Sequence, residues 1–227
     1  MQAQTIVQDD RSTRSYRRQV NCANPHLMFG APDLAGLPMP FERNAEIYGE
    51  GEPADYLYKV MSGAVRTYKV LTDGRRQISA FHLPGDVFGI EPGKQHAWSA
   101  EAVGNSSIVL VKRSLVLRAA ARDGEVAQAL WSLTARELRR AQDHTMLLVK
   151  SAQERVAAFL LEMSQLMPGA SIMELPMSRQ DIADYLGLTI ETVSRTLTLL
   201  EETATIELVA SRRIVLRNRS VLNRLNS

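Results

Sequence analysis

Apolar and polar positions change their period twice along this chain of 227 residues. From about residue 25 to 115, short apolar or alternating runs are punctuated by Gly and Pro. Tyr56-Leu57-Tyr58-Lys59-Val60, Ala64-Val65-Arg66-Thr67-Tyr68-Lys69-Val70 and Gln77-Ile78-Ser79-Ala80-Phe81 have strand length. Strands of this length and spacing predict a small antiparallel barrel or sandwich. Asp73-Gly74 between two such runs is a hairpin signal, and Pro84-Gly85-Asp86 and Gly104-Asn105 mark further turns.

From about Leu115 to Met167 proline is absent, and Ala, Leu, Arg, Glu and Gln dominate, which is helix composition. Leu130, Leu133, Thr134, Glu137, Leu138, Ala141, Thr145 and Leu148 recur at helical steps. Such a stripe packs either on its own barrel or on a second copy of the chain. A long helix joining two domains favours the second, a homodimer seam. Pro168-Gly169 stops the helical region. Beyond it the pattern gives two short helices, then a hairpin. Its strands are Thr205–Val209 and Arg213–Arg217, joined around Ala210-Ser211-Arg212.

The stretch from Ser178 to Leu197 carries the most chemistry. Ser178 can cap a first helix, with Asp181 near its positive end. Ile182, Leu186 and Leu188 supply apolar contacts, and Ala183 lets a second helix approach. Gly187 falls where a turn needs a left-handed backbone, and Thr189 can cap the second helix. Val193 and Leu197 then face inward. Ile190, Glu191, Ser194 and Arg195 are left facing outward, where a helix-turn-helix reads base edges in the major groove. Arg195 can donate twice to guanine, and Glu191 can accept from cytosine N4. One turn apart, these two side chains can also hold each other. Thr196 stands where this motif often has an aliphatic residue. An ordinary αα corner with a solvated charge pair is the competing reading. The caps, the apolar spacing and the following hairpin weigh against it.

Charge and cysteine content sharpen this picture. The formal net charge is only +2, yet from Ser211 onward there is no acidic residue among Arg212, Arg213, Arg217, Arg219 and Arg224. Arg212 and Arg213 at a hairpin tip would form a wing reaching phosphates, and the last three arginines could equally be a solubilising end. Ser178, Arg179, Thr189 and Thr192 at the helix starts are further candidate phosphate contacts. The single cysteine, Cys22, excludes an intramolecular disulfide and any closed thiolate cage within one subunit. A reducing, cytoplasmic setting without a membrane span is expected. No nucleophile stands beside a base at diagnostic spacing, so no catalytic residue is assigned.

The order of small β-barrel, long helix and winged helix-turn-helix resembles the CRP/FNR family of bacterial transcription regulators, over about residues 27 to 220. Gly63-Ala64-Val65-Arg66, Asp73-Gly74-Arg75-Arg76-Gln77, Phe81-His82-Leu83-Pro84-Gly85 and Met177 through Arg195 resemble its FixK-type members. The resemblance implies an α+β fold: an N-terminal antiparallel β-barrel of cyclic-nucleotide-binding-like jelly-roll type, a long dimerisation helix and a C-terminal winged helix-turn-helix. Its divisions are a flexible N-terminal tail at 1–24, the barrel at 25–115, the dimerisation helix at 116–150 and the DNA-binding domain at 151–227. It also implies a homodimer on double-stranded DNA with TTGA and TCAA half-sites, control of low-oxygen respiration or nitrogen-fixation genes, and RNA polymerase as partner. Asp73, Gly74 and Arg75 are candidate polymerase contacts by resemblance only.

The departures narrow the function. Cyclic-AMP-binding members carry a Gly-Glu pair followed by Arg and Ser or Thr. Here Phe88 through Ala100 lacks the arginine, and Trp98 precedes Ser99. A cyclic phosphate would lose its bidentate partner, so no cyclic nucleotide is expected. Lys94 or a backbone nest is the remaining substitute. With one cysteine, the four-cysteine iron–sulfur cluster of oxygen-sensing members cannot form in one subunit. His26, His82, His96 and His144 are scattered, with no haem or metal site among them. The expectation is an activator without cofactor or metal, active without a small-molecule effector. The alternatives are a regulator gated by an unidentified barrel ligand and, remotely, a cupin-type metal-dependent enzyme suggested by Gly93-Lys94-Gln95-His96.

Overall fold

Turn residues divide the first half of the chain into short strands. They are β1 (Pro38–Phe41), β2 (Glu46–Tyr48), β3 (Tyr56–Ser62), β4 (Val65–Val70), β5 (Arg76–His82), β6 (Val87–Phe88), β7 (Ser99–Ala102) and β8 (Ser106–Lys112). The computed structural model describes residues 26–167 and 171–226. The expected tail, Cys22 and the Pro168-Gly169 stop lie outside the described residues. The strands pair antiparallel into two sheets, β1-β8-β3-β6 and β2-β7-β4-β5. Tyr48, Val65 and Ala100 of one sheet meet Tyr58, Val60, Phe88 and Ile108 of the other in a buried cluster. The expected barrel therefore takes the form of a two-sheet jelly roll. The β4–β5 connection is a hairpin with a longer loop than a two-residue turn: Val70 pairs with Arg76, and Gly74 takes φ 83°.

The helical region breaks twice. Helix α1 (Arg113–Ala120) ends before Asp123, whose side chain accepts from the Glu125 amide and caps α2 (Gly124–Leu147). The stretch 116–150 is thus not one helix. Helix α3 (Ala152–Leu166) starts with a capping box between Ser151 and Glu154. Then follow β9 (Met173–Glu174), α4 (Arg179–Leu186), α5 (Ile190–Glu202), β10 (Ile206–Ala210), β11 (Arg213–Leu216) and α6 (Arg219–Asn226). β9 adds a third strand to the expected hairpin, in the order β10-β11-β9. No described helix is long and apolar enough to cross a membrane.

Helix α2 has two unlike apolar faces. Val126, Ala129, Leu133 and Leu147 are buried within the chain. Leu130 packs partly against the same core as Leu133. On the opposite side Trp131 and Leu138 are 71% and 60% exposed, and Val149, in the turn after the helix, is 77% exposed. Thr134, Ala141, Thr145 and Leu148 are also exposed, whereas Glu137 is half-buried and paired with Arg140 at 3.2 Å. Of the expected seam, Leu130, Leu133 and Glu137 therefore belong to the chain's own packing. Trp131 joins the exposed stripe instead, and Val149 extends it into the turn after α2.

One hydrophobic cluster crosses the domain boundary. Ile78, Phe81 and Leu83 of the jelly roll share it with Phe159 and Leu160 of α3 and with Ile182, Tyr185, Val193 and Leu197 of the C-terminal unit. The Phe81 ring lies 5.3 Å from that of Tyr185, and Phe159 lies 5.9 Å from Tyr185.

Candidate nucleic-acid interface

The helix-turn-helix is built from local caps. Ser178 Oγ accepts from the Asp181 amide at 3.1 Å, and Asp181 Oδ2 accepts from the Ser178 amide at 2.9 Å, closing a capping box on α4. Gly187 takes the left-handed conformation that turns the chain, at φ 62°. The position a Cβ would occupy there lies 3.4 Å from Leu148. Thr189 Oγ1 accepts from the Thr192 amide at 3.2 Å and caps α5. Val193, Leu197 and Leu200 are buried beneath α5. Thr196 is buried too, and its hydroxyl donates to the Thr192 carbonyl at 2.8 Å. That bond satisfies the hydroxyl where an aliphatic residue is common.

The outward face of α5 carries the expected reading set. Ile190, Glu191 and Arg195 are exposed and Ser194 is half-buried. Glu191 and Arg195 do not pair through their side-chain charges. Arg195 Nε donates to the Glu191 carbonyl at 3.4 Å instead. The Glu191 carboxyl lies below its usual range, because its own backbone N–H and the Thr189 hydroxyl bond the carboxylate, with a smaller contribution from Arg195. It is therefore ionised, the state that accepts from a base amine.

Around this face, Ser178 and Arg179 sit half-buried at the start of α4. Thr189 and Thr192 stand at the start of α5. The wing differs from expectation. Arg212 is half-buried, and its Nη1 donates to the Pro176 carbonyl at 3.1 Å. It braces the wing against the segment leading into α4. Arg213 is exposed on β11, with Glu174 as its cross-strand neighbour. Arg217 is held by Glu207 through Nε at 2.8 Å, so this part of the arginine-bearing end is neutralised within the hairpin.

The structure also brings in residues that sequence spacing did not indicate. Asp181 Oδ1 accepts from Arg66 Nη1 of β4 at 2.9 Å and from Arg76 Nη2 of β5 at 2.7 Å. Burial raises the Asp181 carboxyl, but the Ser178 bonds and the two arginine charges outweigh it and hold it below its usual value. Arg76 also reaches Asp184 Oδ2, through Nε at 2.8 Å. At the other end of α4, the Tyr185 carbonyl meets Gln77 Nε2 at 3.3 Å and His144 Nε2 at 2.8 Å. The jelly roll thus grips the first helix of the motif at both ends.

Inside the jelly roll, Phe88 and His96 of the stretch from Phe88 to Ala100 pack against rings of neighbouring strands. The His96 ring stacks on Tyr48 at 3.6 Å, Tyr48 lies 5.0 Å from Tyr58, and Tyr58 stacks on Phe88 at 5.2 Å. Ser99 Oγ accepts from the Glu50 amide at 2.9 Å. His82 is buried against Phe88, and burial pushes its pKa down to about 4. Among the described residues, no group of three or more His, Cys, Asp or Glu is arranged to hold a metal ion. Asp73 and Arg75 pair with each other at 2.7 Å on the exposed β4–β5 loop.

Residues 38–123 match the model of the cyclic nucleotide-binding domain, and residues 154–225 that of the Crp-like helix-turn-helix domain. The nitrogen fixation regulation protein FixK of Azorhizobium caulinodans is 54% identical over 198 residues, covering 85% of this chain and 80% of that protein. The chain belongs to the CRP/FNR family of transcription regulators. Another member, the FixK of Rhizobium meliloti, is 42% identical over 179 residues, covering 78% of this chain and 82% of its own. The solved structure of FixK2 from Bradyrhizobium japonicum is 54% identical and superposes with a TM-score of 0.83, over 86% of this chain and 98% of that one. This CRP/FNR chain is accordingly a DNA-binding transcription regulator and not an enzyme.

Proposed function

We propose that two copies of this chain pair through the exposed stripe of α2 and read a palindrome of TTGA and TCAA half-sites. The observation that carries the reading is the free outer face of α5, with Glu191 and Arg195 exposed beside half-buried Ser194. Arg195 donates to the half-site guanine, Glu191 accepts from a cytosine amine, and Ser194 contacts a thymine. Ser178, Arg179, Thr189, Thr192 and Arg213 grip phosphates and set the register. Pairing about a two-fold axis puts the two recognition helices about one DNA turn apart. Trp131 and Leu138 on one face of α2, with Val149 in the turn that follows, support that pairing, since such a surface is costly to leave in water.

The regulator acts without a small-molecule effector. The packed Tyr48, Tyr58, Phe88 and His96 rings and the committed Ser99 hydroxyl support this, together with the missing arginine of the cassette. Given its relatives, it activates genes for nitrogen fixation and low-oxygen respiration through contact with RNA polymerase, for which Asp73, Gly74 and Arg75 are an exposed candidate surface. Its amount then sets its activity. A second reading, gating by an anionic effector, draws on an open cleft of about 940 Å³ lined by Lys94, Lys112 and Arg113. A mobility shift with ligand-free protein on a TTGA-N-TCAA operator separates the two. Saturable binding supports the first, and failure to bind at any concentration overturns it.

A further inference from the structure

The DNA-reading chemistry lies wholly in the C-terminal unit, yet the carboxylate at the start of its first helix is shared with the jelly roll. Asp181 takes four donors. Ser178 supplies two to Oδ2, from N at 2.9 Å and Oγ at 2.7 Å, while Arg66 and Arg76 supply two to Oδ1. Arg66 is itself fixed, because its Nη2 donates to Asn44 at 3.1 Å and to Glu101 at 2.8 Å. Arg76 binds Asp181 and Asp184, one turn apart on α4. Two rigid β-strands therefore hold the first turn of α4, and Gln77 holds its last. Planar guanidinium forks bonded to buried carboxylates restrict angle as well as distance.

This grip leaves the DNA face open. Ile190, Glu191 and Arg195 are exposed while α4 is docked, as are Trp131 and Leu138 of α2 and Val149 after it. Docking thus leaves the candidate reading and pairing residues uncovered by the chain itself. Helix α5 packs on α4 across the Gly187 turn, so the angle of α4 against the jelly roll sets the angle of α5. We propose that Arg66 and Arg76 are positioning residues for DNA reading. Through Asp181 and Asp184 they fix the angle at which each subunit presents its recognition helix, and so the half-site spacing the dimer accepts. The inference rests on the dimeric, palindrome-reading function proposed above.

The test is fluorescence anisotropy of the full chain on labelled operators. The DNA set is the TTGA–TCAA palindrome at its preferred spacing, the same palindrome with one base pair added or removed, and a single half-site. Each base pair added turns one half-site by about 34° relative to the other. Wild-type protein is expected to bind the preferred spacing alone tightly. Arg76→Gln, whose side chain is partly exposed, is expected to bind that site about tenfold more weakly and to lose most of the preference between spacings. Its half-site binding stays at the wild-type level, and Arg76→Lys, which keeps the charge, recovers part of the loss. Arg66→Gln is expected to act in the same direction. Unchanged spacing preference in Arg76→Gln overturns the proposal. So does an equal loss on palindrome and half-site, which marks a merely structural role, or tighter binding, which marks an inhibitory contact. Wild-type protein without any palindrome preference fails the underlying functional reading instead, before any variant is compared.

Discussion

Asp181 of the first helix-turn-helix helix accepts a hydrogen bond at 2.9 Å from Arg66 of strand β4, 115 residues away in sequence. Both side chains are nearly buried, at 5% and 7% exposure. Removing the carboxylate charge leaves two arginines short of a partner and weakens the α4 cap. Asp181→Asn is expected to lower stability by about 1.5–3 kcal/mol, the range for a hydrogen bond to a charged group. Denaturant unfolding measures it. The Asp181 carboxyl is held below its usual value, so its contribution is present above the unfolded carboxylate range and fades as pH falls through the lowered value. The variant is therefore expected to converge on wild-type stability in acid.

The two faces of α2 give opposite outcomes. Leu133 is 3% exposed and packs inside the chain. Leu133→Ala is expected to cost about 2–5 kcal/mol of folding stability by leaving a cavity, without changing subunit association beyond that loss. Leu138, 60% exposed, is expected to behave in reverse. Leu138→Lys keeps the fold and yields monomers in sedimentation velocity, with palindrome binding reduced accordingly.

Arg195 and Arg213 should separate on DNA. Arg195→Ala is expected to lose about 1–3 kcal/mol of discrimination at the half-site guanine, the range for one bidentate contact. Competition binding with single-base operator variants reads this directly. Arg213→Gln is expected to weaken binding to all sequences alike and to lower the salt slope by about one. Arg212→Gln disturbs the wing through its Pro176 contact, so its effect is expected in wing stability as well as in affinity.

His82 links acid pH to loss of the fold. Its pKa is lowered from 6.5 to about 4 by burial, partly opposed by the Asp86 charge and reinforced by Arg140. The unfolded chain binds the proton first, so stability falls as pH drops from about 6.5 toward 4. A shift of this size corresponds to about 3 kcal/mol. His82→Gln is expected to flatten the pH dependence of the thermal midpoint over that window, which calorimetry at several pH values would record.

The helix-turn-helix was legible in sequence because its signals are local. Ser178, Asp181, Gly187 and Thr189 each act within four residues, and the structure places a cap or turn at each. The strands around Asp73-Gly74 were legible for the same reason. Helix α2 was legible only in part. Its two faces both carry large apolar residues, and periodicity alone did not separate Leu133 from Trp131. Only the position of the jelly roll decides which face is already covered. The Arg212 brace was not legible, because a backbone carbonyl, that of Pro176, leaves no mark in a side-chain pattern. The Arg66–Asp181 contact was invisible because nothing in the spacing of two charges so far apart marks them as neighbours. Asp181 also already had a sufficient local role as a cap.

The most direct test of the central claim is selection of bound sequences from a random duplex pool with purified, ligand-free protein. The expected result is enrichment of a palindrome with TTGA and TCAA half-sites at one fixed spacing. Enrichment of no motif, or enrichment that requires an added small molecule, would contradict it.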